Sequence, residues 1–285
     1  MTFVTETSAP LIEVLQAFAP TSSKNTLKKW LKSKRVYVNE HMVENPTTLI
    51  KKGSKLSLGP KKEYFKAKIE ILYEDKDLVV IYKPHGLLSV ATDKEQTYTA
   101  HSLLKARTSD RKVYPVHRLD RDTSGVLMFA YTDYAKEQLK KQFEDHSIYR
   151  EYRALILGHL EEKKGTWKSF LKENANFVVY ECEECPEAME AITNYEVLYE
   201  TKKSSFVKFI LETGKKNQIR VQAAHRGHPI LGDKKYGPSS SPFEHISLHA
   251  YALHFVHPTS LKTMRFTYPY PKEFQKFLPP SPLDK

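Results

Sequence analysis

Runs of strand-forming residues follow one another with little between them, and that order limits the possible folds more than any other feature of the chain. "AITNYEVLYE" and "SSFVKFILE" read as successive strands, as do "IEILYE" and "LVVIY". "GVLMFAY" reads as a buried strand and "EYRALIL" as a further one. Helical patterns are isolated: "TAHSLLKA", and a segment with Ala135, Leu139 and Phe143 at helical spacing. Strand-strand runs with isolated helices predict an α+β domain rather than regular βαβ winding. The expected sheet is mixed and largely antiparallel, with flanking helices.

Residues 8–58 read as a smaller basic module of helices and a hairpin. Ser8 is the expected cap of a first helix with Pro10 in its first turn and Leu11, Leu15 and Phe18 on one face. A second helix is expected from Ser22 or Ser23, with Leu27, Trp30 and Leu31 inward and Lys28, Lys32 and Arg35 on the opposite side. "RVYVNEHMVEN" then alternates as a hairpin turning at Asn39-Glu40, and Gly53 marks a further turn. A solvated surface is where most lysines belong, but residues 24–35 carry six basic side chains and no acid, whereas a solubilising face mixes signs. Two helices followed by such a hairpin resemble the small RNA-binding module, the alpha-L motif, named after the fourth small-subunit ribosomal protein. Lys28, Lys32 and Arg35 are its candidate RNA contacts. "GPKKEYFK" is turn-forming and charged. A linker is therefore expected over 61–66, between a module of residues 1–60 and a main domain of residues 67–285.

Composition narrows the partners. The chain has 285 residues, 45 Lys and Arg against 34 Asp and Glu, and a formal charge of +11. Such a balance points to nucleic acid or an anionic membrane surface. Without a long apolar segment or a basic leader at the N-terminus, membrane is the weaker partner. Cys182 and Cys185 form a CxxC with no second ligand pair for zinc, so they read as incidental thiols and fit a reducing cytoplasm. No GxGxxG, Walker-type loop or zinc-protease motif appears, so neither cofactor nor metal is implied.

"PVHRLDRDTSGVLMF", residues 115–129, crowds Arg118, Asp120, Arg121 and Asp122 before an apolar strand. Residues 118, 120 and 122 alternate along an extended loop, so their side chains are expected to point the same way. Neighbouring guanidiniums lower a carboxylate pKa by ~1–3 pH units, which suits a nucleophile or an electrostatic stabiliser and not a general acid. A salt-bridged turn capped by Asp122 explains the same residues structurally. The chemistry alone does not choose between Asp120 and Asp122.

"HRLDRDTSG" resembles the signature of the RluA-type pseudouridine synthases, and the resemblance makes Asp120 the catalytic residue with Arg118 beside it. "VVIYKPHGLLSV" resembles the K-P-x-G segment of that family, placing Lys83, Pro84 and Gly86. "IYREYRALILG" resembles its K-x-Y-x-A element, with Tyr152 as active-site Tyr and Arg150 where Lys is usual. "LETGKKNQIRVQAAHRGHPILGDKKYG" resembles G-R-T-H-Q-I-R followed by G-H-P-I-x-G-D-x-x-Y-G, and Arg220 falls on the basic residue expected to pair with the Asp. Lys215, Lys216 and Asn217 replace R-T-H, and Gln222 replaces a common His; these are expected to shape the site or touch RNA phosphates. The residues read independently as a helix capped by Asn217, running to about Arg226 and ended by Gly227, with Arg220 in its first turn.

The resemblance implies isomerisation of uridine to pseudouridine in structured RNA: Asp120 attacks the base ring or the anomeric carbon, or assists a glycal route, Tyr152 stacks on the flipped base and accepts a proton, and Arg118 fills the gap left behind. It implies no cofactor. Lys83, Arg150 and Lys215 are candidate RNA contacts. Ribosomal RNA of the large subunit is the favoured substrate, transfer RNA the alternative, and a monomer is expected. Two rivals remain: a non-catalytic RNA-binding or ribosome-assembly factor with a degenerate site, and a hydrolase using Asp120 and Asp122 as an acid-base pair, which the flanking arginines oppose.

Overall fold

The computed structural model describes residues 2–32, 35–58, 69–92, 95, 98–108, 110–238, 240–275 and 277–278. The chain forms two compact units, Met1–Ala67 and Lys68–Lys285. The expected linker lies outside the described residues, as does Lys34 of the basic run.

The first unit runs β1 (Thr2–Val4), β2 (Ala9–Pro10), α1 (Leu11–Phe18), α2 (Lys24–Lys32), β3 (Val36–Val38), β4 (His41–Met42), β5 (Leu49–Ile50) and β6 (Lys55–Leu58). Four strands pair in the order β1-β6-β3-β4, and β2 pairs with β5. Leu11, Val14 and Leu15 of α1 meet Leu27 and Leu31 of α2 in one buried cluster. Ser8 does not cap α1: Pro10 holds that position, and the Ser8 hydroxyl accepts the Lys52 N–H at 3.0 Å. Ser23 does serve α2, accepting the Thr26 N–H at 3.2 Å. Asn39 and Glu40 take φ of 47° and 69°, the left-handed pair that a tight two-residue hairpin requires.

The second unit begins with β7 (Glu70–Glu74), β8 (Leu78–Lys83), α3 (Ala100–Arg107), β9 (Tyr114–Pro115), β10 (Ser124–Ala130), α4 (Asp133–Glu144) and β11 (Tyr149–Leu157). It continues with β12 (Lys164–Glu173), β13 (Val179–Cys182), β14 (Met189–Glu200), β15 (Ser204–Leu211), α5 (Gln218–His225), β16 (Leu248–Val256), β17 (Thr263–Thr267) and α6 (Lys272–Gln275). One mixed, mostly antiparallel sheet runs β13-β12-β14-β15-β11-β16-β10-β8-β7, with β17 beside β16 and β9 beside β10. The α+β expectation holds.

Strand β10 is buried at every position because both faces are covered. Val126, Met128 and Ala130 pack with Ala135 and Leu139 of α4, while Phe129 stacks on His101 of α3. Among the described pairings of the large sheet, only β10 with β16 is parallel. Gly125 permits that approach: a Cβ there would lie 2.1 Å from the Ala250 carbonyl oxygen. Burial holds His249 down to a pKa of about 4, so its ring is neutral. It links the two strands, with the Ser124 hydroxyl 2.8 Å from Nδ1 and the Tyr268 carbonyl 3.0 Å from Nε2.

Helix α5 packs Ile219 and Ala223 against Ala154, Ile156, Val207, Phe209 and Trp167. Every residue from Gln218 to Ala223 is buried, so its polar side chains need internal partners. Gly227 ends the helix at φ 77°, with the His228 N–H returning to the Ala223 carbonyl at 2.9 Å.

Candidate active site

The chain turns at 121–122 as it enters β10, closed by the Thr123 N–H donating to the Asp120 carbonyl at 3.2 Å. Asp120 lines a cleft of about 570 Å3 with Arg118, Arg150, Tyr152, Lys215 and Arg220. Arg121 and Asp122 do not line that cleft; they line a neighbouring cavity that Asp120, Asn217 and Arg220 share, so of residues 118, 120 and 122 only the first two line the cleft together.

Asp120 is anchored by one oxygen. Its Oδ2 accepts from Asn217 Nδ2 at 2.5 Å and from Arg220 Nη1 at 3.3 Å, while Oδ1 has no hydrogen-bond partner among the described residues. Asn217 does not cap α5 with its side chain. Its backbone is left-handed, φ 54°, which turns the amide toward Asp120. The Gln218 side chain serves the helix start instead, accepting the Lys215 N–H at 2.9 Å and the Thr213 hydroxyl at 2.8 Å.

Arg220 is locked from behind by Asp233, whose carboxylate accepts from Nε and Nη2 at 2.8 Å each. Burial opposes the charge of this arginine, but the hydrogen bonds and charge of Asp233, with help from Asp120, hold it protonated beyond the usual range. Burial likewise pushes Asp233 up, and the Arg220 hydrogen bonds outweigh it, leaving the carboxyl lowered. The Tyr236 ring lies 5.2 Å from the guanidinium, and its hydroxyl donates to Asn217 Oδ1 at 3.1 Å.

Tyr152 sits where β11 changes register against β16, a bulge that re-aims a side chain locally. Burial pushes its phenol up to about 12, opposed by Arg150 and aided by Asp120. That direction is wrong for the proton acceptor expected from the sequence. At neutral pH the phenol keeps its proton, and its ring is half-buried against the cluster that contains Ala154 and Phe209.

Residues 77–225 match the model of the RNA pseudouridylate synthases. An uncharacterized RNA pseudouridine synthase of Bacillus subtilis (strain 168) is 31% identical, over 93% of this chain and 91% of its own length. The chain belongs to the RNA pseudouridylate synthase family. A ribosomal large subunit pseudouridine synthase D of Zymomonas mobilis is 33% identical, over 73% of this chain and 71% of its own length. The solved human RNA pseudouridylate synthase domain containing 1 superposes with a TM-score of 0.59 at 25% identity, covering 71% of this chain and 84% of that structure. Together these make the chain an RNA pseudouridine synthase of the RluA type.

Within the synthase, Lys83 is not an RNA contact. It is fully buried, and its ammonium donates to the carbonyls of Leu87 at 2.7 Å, Arg121 at 3.0 Å and Pro84 at 3.1 Å. Burial lowers it to about 7 against the pull of Asp122 and Asp120. The Ser89 hydroxyl adds a second tie, bonding the Leu119 N–H and carbonyl at 3.0 and 2.8 Å. The K-P-x-G segment therefore fastens the Asp120 loop from below.

Arg150 is also largely buried and donates to the Glu212 carbonyl at 2.8 Å, so it shapes the cleft wall and is poorly placed to meet phosphate in solvent. Arg118 is exposed on the lip, and Lys215 is half-buried. Gln222 never reaches the cleft. It is fully buried and joins α5 to the sheet, donating to Ser169 Oγ at 2.9 Å and the Ala191 carbonyl at 3.0 Å and accepting from Thr193 at 2.7 Å. Lys28 and Lys32 are exposed on α2 of the first unit, and Arg35 is half-buried just beyond it.

Asp233 and Tyr236 were not assigned roles from sequence. The signal was present: a buried arginine needs more than one shared carboxylate oxygen, and "GDKKYG" follows it closely. Asp75, Asp77 and His257 lie close enough together to suggest a metal. However, His257 Nδ1 accepts the Thr259 and Ser260 N–H groups at 3.2 and 3.1 Å. Nε2 therefore carries the proton it donates to Asp75 at 2.7 Å and offers no lone pair to an ion.

Proposed function

We propose that this pseudouridine synthase isomerises a uridine flipped out of structured RNA, with Asp120 as nucleophile and large-subunit ribosomal RNA as substrate. The observation that carries the reading is the asymmetric anchoring of Asp120: Oδ2 is held by Asn217 and Arg220, and Oδ1 is unpartnered. A nucleophilic carboxylate must be oriented without having both oxygens consumed by its supports.

The reaction breaks the bond from ribose to uracil N1, rotates the base and joins the ribose to C5. The C5 hydrogen is lost as N1 gains one, so no atom is added or removed and no redox or group-transfer cofactor is needed. Unstacking a uridine costs a few kcal/mol, which phosphate contacts offset. Arg118 and Tyr152 both line the cleft; in this reading Arg118 fills the vacated position and the Tyr152 ring stacks on the flipped base. The first unit, with Lys28, Lys32 and Arg35, adds affinity for folded RNA.

A large-subunit enzyme among the relatives, together with the basic module, favours ribosomal RNA over transfer RNA. The protein acts as a monomer in the cytoplasm, where its two free thiols stay reduced. Incubation with uracil-labelled unmodified transcripts tests the reading: pseudouridine supports it, binding without change supports an assembly factor, and free uracil supports a hydrolase. Pseudouridine mapping in a deletion strain identifies the substrate, and unchanged large-subunit RNA with a lost transfer-RNA site would overturn the choice.

A further inference from the structure

Phe177 is displayed at the tip of the β12–β13 hairpin with 72% of its surface exposed and a backbone φ of 60°. The hairpin closes over residues 174–177: the Phe177 N–H donates to the Asn174 carbonyl at 2.9 Å, and the Asn174 side chain accepts from the Asn176 and Val178 N–H groups at 2.9 and 3.0 Å. The left-handed position that ends such a turn suits Gly or Asn. A bulky aromatic there is strained and leaves its ring in water. Neither local backbone preference nor burial favours Phe at this position, and strain of this kind concentrates where a side chain has a task.

The tip is tied to the catalytic residues. Lys235 donates to the Phe177 carbonyl at 3.0 Å, and the Lys216 ammonium lies 5.6 Å from the ring centre while paired with Glu173. The Val179 N–H donates to the Tyr236 hydroxyl at 3.2 Å, and that hydroxyl donates to Asn217, whose amide holds Asp120. The Lys216 ammonium thus faces the Phe177 ring and the Lys235 ammonium its backbone carbonyl, and the hairpin is joined to the cleft residue Asn217 by a short chain of hydrogen bonds.

We propose that Phe177 is a stacking platform for an unpaired RNA base beside the target uridine, with Lys216 and Lys235 meeting the adjoining phosphates. The role rests on the reading of the cleft as the place where a flipped uridine reacts. Flipping one base removes a stacking partner from its neighbour, and an aromatic ring among cations replaces it for any base.

Phe177→Asn separates folding from recognition, because Asn fits the left-handed backbone and offers no ring. The expected variant melts at or above wild type, yet binds unmodified large-subunit ribosomal RNA fragments about 5- to 100-fold more weakly. The loss appears far more in KM than in kcat, and Phe177→Trp restores binding. Fragments carrying 5-iodouridine should photocrosslink to Phe177 in the full-length protein. Unchanged affinity of the Asn variant, or a loss that Trp does not repair, overturns the proposal. If wild type isomerises no uridine in these fragments, the ribosomal-RNA substrate fails, while the affinities of the three proteins still decide the role of Phe177.

Discussion

In the first unit Lys24, Lys28 and Lys32 stand exposed along α2 with no ion pair among the described residues, whereas in the second Arg220 is 9% exposed between two carboxylates. The difference is one of dielectric and partner. Exposed ammonium groups keep their water, are screened by salt and add their effects one contact at a time. A buried guanidinium has given up its water and depends on Asp233 and Asp120 together. The first arrangement suits graded affinity for any folded polyanion; the second suits an all-or-none catalytic geometry.

The sharpest break of this contrast is Asp120→Asn. The amide is nearly isosteric but a far poorer nucleophile, so single-turnover isomerisation should vanish while RNA affinity stays within a few-fold. Turnover at a tenth of the wild-type rate would remove Asp120 from its role. Arg220→Ala comes next. It strands the fully buried Asp233, a change of about 3–5 kcal/mol in comparable sites, so melting temperature and activity should fall together. Arg220→Lys should rescue poorly because the planar fork to Asp233 is lost.

Lys83 tests whether a buried ammonium behaves as its environment demands. Its folded pKa of about 7 lies below the unfolded value near 10.5. Between those limits the unfolded chain holds a proton that the folded one does not, so the Lys83 contribution makes stability rise with pH across that window. Below about pH 7 the burial penalty is fully present, worth a few kcal/mol. Denaturant unfolding from pH 6 to 10 should show this rise, and Lys83→Met should flatten it. An identical pH profile in both proteins would mean that Lys83 is not held as described. The Met variant should also lose activity, because the Arg121 carbonyl beside Asp120 loses its donor.

The smallest effects should come from the first unit. A chain beginning at Lys68 should bind long structured RNA with a salt slope shallower by roughly 0.7–0.9 per lost phosphate contact, yet turn over a saturating stem-loop at a similar rate. Equal slopes would reduce α2 to a solvated surface. Loss of turnover in a folded truncated protein would erase the division of labour.

What the sequence made legible follows the same boundary. Periodicity revealed β10, α4 and the β14–β15 run because burial of a face leaves a repeating pattern. Family motifs brought Asp120, Tyr152 and Arg220 to one cleft. The errors came from polar residues whose burial no local pattern signals. Lys83 reads as a surface lysine until three carbonyls are seen around it, and Gln222 reads as a cleft residue until its amide is seen joining α5 to β12 and β14. Asn217 has the composition of a cap, but its left-handed backbone sends the side chain to Asp120.

The parallel contact at Gly125 also sets a schedule for the newborn chain. Ser124 and His249 are separated by 125 positions, and Asp120 and Arg220 by 100. The cleft has no local nucleus of its own; it closes only after the last long strand of the sheet has been synthesised and docked. Contacts of such long sequence separation slow folding, and they leave β10, apolar on both faces, waiting for its neighbour. An elongating polypeptide carrying Asp120 therefore has no complete cleft until β16 has left the ribosome, although its first unit is made long before.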